Sequence, residues 1–286
     1  MKSKGWGLNT LGIVFALFTL GIVIFSIVYL TGHRDARSWR DYENYDTWER
    51  IKGERNVEED FDSLQVRNIS GKIAVKVWNR DYALVHYTKQ GPFAEELEVI
   101  IEVSDGTLSV RPEHTQRLSK PFASVSFEIM VPGDVHAITA ESTSGSIELS
   151  GMGPGIDQGL RTVSGKIETD NARNLIANTT SGSIRFRFSG SKLYAKSVSG
   201  SVSGDILDFI PGGTCELGSV SGSVTLRAFN DLEAKLVMKS MSGSVACEFP
   251  LQAMLQKNNE LEGIIGNGAS TISIKTTSGS VKLERL

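Results

Sequence analysis

One dipeptide, Ser-Gly, returns at near-regular intervals through the second half of the chain, and a repeat of that length leaves few architectures open. It stands at Ser144-Gly145, Ser164-Gly165, Ser181-Gly182, Ser199-Gly200, Ser221-Gly222, Ser242-Gly243 and Ser278-Gly279. The intervals are 20, 17, 18, 22, 21 and 36 residues. Self-similarity near this period marks a solenoid, in which each short coil buries its apolar face only against its neighbours. The last interval is close to two ordinary ones and reads as a coil that has lost its motif.

Aligning the repeats on the Ser exposes their columns. Six residues before it stand Ile138, Gln158, Leu175, Leu193, Cys215, Leu236 and Ile272. Four before it stand Ala140, Leu160, Ala177, Ala195, Leu217, Met238 and Ile274. Two before it a hydroxyl recurs: Ser142, Thr162, Thr179, Ser197, Ser219, Ser240 and Thr276. After the Ser the apolar residues move to plus three (Ile147, Ile167, Ile184, Val202, Val224, Val245, Val281) and mostly to plus five. Period-two alternation reads as half-buried strands. Inward positions are even before the corner and odd after it, so one residue of phase is absorbed at Ser-Gly. A sharp bend of this kind predicts a glycine at positive φ. The hydroxyl column points inward, where it satisfies itself or the corner backbone.

The same rule fits residues 61–77, where Leu64, Val66 and Asn68 lead to Ser70-Gly71 and then Ile73 and Val75. Alternating runs follow, with a hairpin signal at Asp105-Gly106 and a strand ending at Pro132-Gly133. Solenoids need covers on their open edges, and these strands suit that role. The expected fold is all-β: a parallel β-solenoid over residues 61–286, divided into an N-terminal capping part (61–135) and Ser-Gly repeat coils (136–286).

Residues 11–30 carry no charge and have the length a bilayer core requires. No small-x-small cleavage site follows, so the reading is an uncleaved transmembrane helix after a short cytoplasmic tail (1–10). Cations flank both sides, Lys2 and Lys4 before and Arg34, Arg37 and Arg40 after, so charge alone barely orients it. The short tail and the β-rich remainder favour a single-pass cell-membrane protein with its C-terminal domain extracytoplasmic. Residues 31–60 read as a juxtamembrane linker, with nine acids against six Lys/Arg and an aromatic or aliphatic residue every third position from Trp39 to Ile51.

The strand at 127–133 closing on Val-Pro-Gly, the segment 138–147 and the train of Ser-Gly-Ser-Ile/Val corners together resemble the bacterial β-strand-repeat family labelled "putative adhesin". With its N-terminal span the chain is also similar to the membrane-anchored G-type proteins of Lia envelope-stress operons. The resemblance implies a parallel β-solenoid at the cell surface and supplies no catalytic residues.

The residues themselves yield no catalytic, cofactor or metal site. Cys215 and Cys247 take columns that are apolar in other coils and read as small core residues; their positions on opposite sides of the corner argue against a disulfide. No CxxC or Cys/His zinc spacing is present, and His33, His86, His114 and His136 share no motif. Glu141, Glu148 and Glu168 fall close together in the alignment, the arrangement a polysaccharide-cleaving β-helix would need, but their columns soon turn basic. That drift, through Lys196, Lys239, Lys275 and Lys282, suggests a basic strip at the far end able to meet anionic polymers or headgroups. A net charge of −3 gives no reason to expect nucleic acid. The expected function is a non-enzymatic surface protein binding envelope polymers or membrane-protein partners. A polysaccharide-active enzyme and a structural spacer are the alternatives.

Overall fold

The computed structural model describes residues 50–91, 94–114 and 123–286. Each coil is a strand, the Ser-Gly corner and a second strand, and the two strands lie in two faces with the core between them. The pre-corner face contains β2 (Ser63–Ser70), β8 (Ala137–Ser144), β10 (Asp157–Thr162), β12 (Asn174–Thr179) and the second half of β13 (Ile184–Ser197). It continues with the second half of β14 (Val202–Ser221), then β20 (Ser270–Ser278) and β16 (Ala234–Ser242). All of these neighbours are parallel. The post-corner face runs β3 (Ile73–Val77), β9 (Ile147–Ser150), β11 (Ile167–Thr169), the first halves of β13 and β14, β15 (Val224–Ala228), β21 (Val281–Arg285) and β17 (Val245–Cys247). It too is parallel throughout.

The pairing register equals the column alignment, for example Leu160 opposite Ala140 and Ala177, and Ile167 opposite Ile147 and Ile184. The minus-six, minus-four and minus-two columns are buried in every coil. Gln158 is the polar member of an apolar column; its Oε1 accepts the Thr169 hydroxyl at 2.5 Å, and its amide donates to the Asn171 carbonyl. Two polar residues in two core columns thus satisfy each other within one coil, as burial demands. Gly204 leaves room for the ring of Phe186 on the next rung, which a Cβ would meet at 2.4 Å.

Rungs do not stack in chain order. The last coil, β20–β21, inserts between the coil of Gly222 and the coil of Gly243. The 36-residue interval is therefore not a coil without its motif. It holds an antiparallel hairpin, β18 (Gln252–Lys257) and β19 (Glu260–Ile265), and β19 covers the outer edge of β16. The other end is closed in a similar way. The strands β6 (Thr107–His114) and β7 (Ser124–Val131) form a rung outside β2 and β3. Antiparallel β5 (Leu97–Ser104) then covers β6, and β4 (Ala83–Gln90) covers β7. Asp105 and Gly106 both take left-handed φ, 51° and 72°, as a tight hairpin turn requires.

Part of the expected linker is not linker. Residues 50–57 form strand β1 (Arg50–Val57), paired antiparallel with β4 over its whole length. The expected tail, the apolar span 11–30 and residues 31–49 lie outside the described residues. Among the described residues no helix is long and apolar enough to cross a membrane.

Candidate functional site

The recurring residues converge on one ladder. Ser70-Gly71, Ser144-Gly145, Ser164-Gly165, Ser181-Gly182, Ser199-Gly200, Ser221-Gly222, Ser278-Gly279 and Ser242-Gly243 follow one another along the stack. Of these glycines only Gly71 and Gly279 have positive φ. The bend therefore does not explain the other six. Space does: a Cβ on Gly165 would lie 2.0 Å from the carbonyl oxygen of Gly145, on Gly182 1.9 Å from that of Gly165, and on Gly200 2.0 Å from that of Gly182. Glycine is required because each corner backbone is pressed against the next, where no side chain fits.

The same carbonyl explains the hydroxyl column. Thr162 donates to Gly145 O at 3.1 Å, Thr179 to Gly165 O at 3.3 Å, Ser197 to Gly182 O at 2.8 Å and Ser219 to Gly200 O at 2.9 Å. Thr276 donates to Gly222 O and Ser240 to Gly279 O, both at 2.8 Å. Each such bond contributes about 0.5–1.5 kcal/mol net. On the first Ser-Gly coil Asn68 replaces the hydroxyl. Its Nδ2 donates to Gly71 O at 3.2 Å and to Val125 O at 2.7 Å. In the next coil the Ser142 hydroxyl is buried without a partner. The corner Ser amides are satisfied too: Ser164, Ser181, Ser199 and Ser221 each donate to the previous rung. This row of residues is spent on holding rungs together.

The charged candidates are similarly engaged. Arg67 lies 3.6 Å from Glu141, Lys72 2.6 Å from Glu148, and Glu168 sits between Lys166 at 2.5 Å and Arg185 at 3.1 Å. The Lys166 hydrogen bond, then the charges of Lys166 and Arg185, hold the Glu168 carboxyl below its ordinary range. The expected basic strip is largely neutralised by acids from other columns. Lys196 pairs with Glu216 at 2.5 Å, Lys239 with Glu260 at 3.3 Å and Lys282 with Glu284 at 3.7 Å. Cys215 and Cys247 are free thiols. Burial pushes the Cys215 thiol far up, and the half-buried Cys247 thiol up as well. His86 Nδ1 lies 3.4 Å from Glu54 on the neighbouring strand, and His136 is exposed at the start of β8.

A cleft of about 150 Å³ lies away from the corner ladder. One wall is a lip of β14, residues 207–211, whose Phe209 ring stands edge-on to Phe188 at 6.4 Å. The other is the turn 229–233, closed by Leu232 N–H donating to Phe229 O at 3.2 Å. Ser270 pins the base of the lip through Ile210 O. Sequence alignment passed over these residues because they belong to no column. Their one signal is the longer interval of 22 residues around Pro211-Gly212-Gly213.

The model of the Toastrack DUF4097 family matches residues 58–284. The chain belongs to that family. The match spans the whole run from the end of β1 to β21, so the corner ladder, both capped ends and the cleft are all parts of the Toastrack domain. No curated protein matches the chain. Among solved structures it is similar to a "putative cell adhesion protein" from Clostridium sporogenes, at 12% identity over 83% of this chain and 100% of that one, with a TM-score of 0.40. A "putative adhesin" from Bacteroides fragilis matches at 12% identity over 82% and 97%, with a TM-score of 0.39. One from Parabacteroides distasonis matches at 12% over 83% and 97%, with a TM-score of 0.38.

Proposed function

We propose that this Toastrack domain is a non-enzymatic binding module, held at the outer face of a membrane by the apolar segment 11–30, that engages envelope polymers or partner proteins in adhesion or envelope stress. The observation that carries the reading is the use made of the recurring residues. The column hydroxyls of six coils and the corner glycines are consumed in rung-to-rung contacts, which stiffens the stack and leaves recognition to its outer faces and ends. The carboxylates a polysaccharide-cleaving enzyme would need as acid and base are instead matched with Arg and Lys. Protease treatment of intact cells tests the topology: the β-domain should be digested while residues 1–10 are protected. Full protection of the β-domain would overturn the reading. Crosslinking on native envelopes should then return a polymer or protein that a strand-disrupted variant fails to capture.

A further inference from the structure

The cleft between the 207–211 lip and the 229–233 turn is a product of the stacking order. From Gly145 to Gly222 each coil hands over to the adjacent rung. The chain after β15 must instead climb two rungs, because β20 and β21 occupy the one between. At about 4.8 Å per rung the climb is roughly 10 Å. The turn that makes it carries Phe229 outward, 48% exposed, onto the same cleft as Leu207 at 36%. Two exposed large apolar side chains thus meet at one irregularity of the stack, over a floor that includes the buried Ile206 and Leu232.

The rim has one sign. Asp208, Asp231 and Glu233 line the cleft, and no Lys or Arg does. None of the three is ion-paired among the described residues, whereas Asp205, on the strand leading into the lip, is held by Arg227. Uncompensated carboxylates around an apolar floor attract a cation and repel acidic chains and anionic lipid surfaces. The volume is below that of pockets that enclose a drug-sized ligand. It suits one anchoring side chain, with the rest of the ligand lying across the rim.

We propose that this cleft docks a polypeptide segment presenting an apolar side chain flanked by lysine or arginine. The apolar residue seats between Leu207 and Phe229, and the flanking cations meet Asp208 and Asp231. This goes beyond the envelope reading, because it needs only the cleft and holds wherever the domain resides.

The test is fluorescence anisotropy of a labelled Lys-Leu-Lys-Phe-Lys peptide titrated with the full chain in zwitterionic lipid nanodiscs. Saturable binding is expected, weakening as NaCl is raised. Phe229→Ser and the pair Asp208→Asn with Asp231→Asn should each lower affinity by about tenfold, the scale of a buried anchor or a desolvated charge pair. Asp105→Asn, at the opposite end of the stack, should leave it unchanged. All variants alter exposed side chains, and circular dichroism melts confirm that they fold. Equal binding of Lys-Ser-Lys-Ser-Lys, or of Glu-Leu-Glu-Phe-Glu, would overturn the proposal. So would unaltered affinity in both cleft variants, or binding to empty nanodiscs that accounts for the whole signal.

Discussion

Replacing Gly182 by alanine isolates the force that shapes the corner ladder. The new Cβ would lie 1.9 Å from Gly165 O, 2.7 Å from Gly165 C and 3.0 Å from the Thr179 hydroxyl, where ordinary contact begins at 3.4 Å. The rung must open by roughly 1.5 Å, a third of the strand spacing of about 4.8 Å. Overpacking of this kind costs about 1–3 kcal/mol. Opening also stretches the Thr179 bond to Gly165 O, now 3.3 Å, and the Ser181 amide bond to Val163 O, now 2.8 Å. Each is worth about 0.5–1.5 kcal/mol. Because Gly182 does not have positive φ, the stiffer unfolded chain returns about 0.4–1 kcal/mol. The net expectation is a loss of about 1–5 kcal/mol, against a total of about 5–15 kcal/mol for a typical domain. Urea titration followed by strand circular dichroism measures it. Gly155→Ala, with open space around its Cβ, is the control and should shift stability by less than about 0.5 kcal/mol. Asn at position 182 separates space from backbone angle, since Asn tolerates left-handed φ. If Asn restores what alanine loses, or if Gly182→Ala melts with the control, the close-approach argument is wrong.

Ser142→Ala should be neutral or stabilising, because it removes a buried hydroxyl with no partner, whereas Ser197→Ala should cost about 1 kcal/mol by freeing Gly182 O; thermal melts in parallel read the difference in sign. Phe186→Ala should cost about 3–5 kcal/mol. Gly204→Ala should be destabilising alone, since its Cβ meets the Phe186 ring at 2.4 Å, but much less so with Phe186→Leu, and a double-mutant cycle returning no coupling would refute the packing account. In thiol titration of the native protein Cys247 should react first. Cys215, buried and with its pKa pushed up, should label only in denaturant, and raising the pH through the ordinary thiol range should not expose it.

Column parity was legible before any coordinates. It assigned Leu160, Ile167 and the Ser/Thr column to the interior and found the coil of Ser70-Gly71, because inward and outward positions differ in hydropathy and that difference is written residue by residue. The reason for the glycines was not legible. A glycine kept for positive φ and one kept for lack of a Cβ are the same letter, and only the neighbouring carbonyl tells them apart. Rung order was hidden for a related cause. Cys215, Ile272 and Leu236 are all buried apolar members of one column, so nothing in the pattern says that Ile272 lies between the other two. Strand β1 was missed because Arg50–Val57 is mostly polar and exposed; its pairing with β4 is made by backbone, which leaves little trace in side-chain type. The cleft went unseen because it is built from the segments that break the repeat.

The inserted last coil also bears on how the chain is made. Synthesis delivers residues in order, and domains begin folding as they emerge. The strands β16 and β17 leave the ribosome before β20 and β21, yet it is β20 and β21 they lie against on the side facing the stack. Until those strands arrive, the coil of Gly243 has a hairpin on its outer side and no rung beneath it. The early coils can add one at a time; the last two must close together. A chain cut short before residue 270 would lack the rung against which β16 and β17 lie.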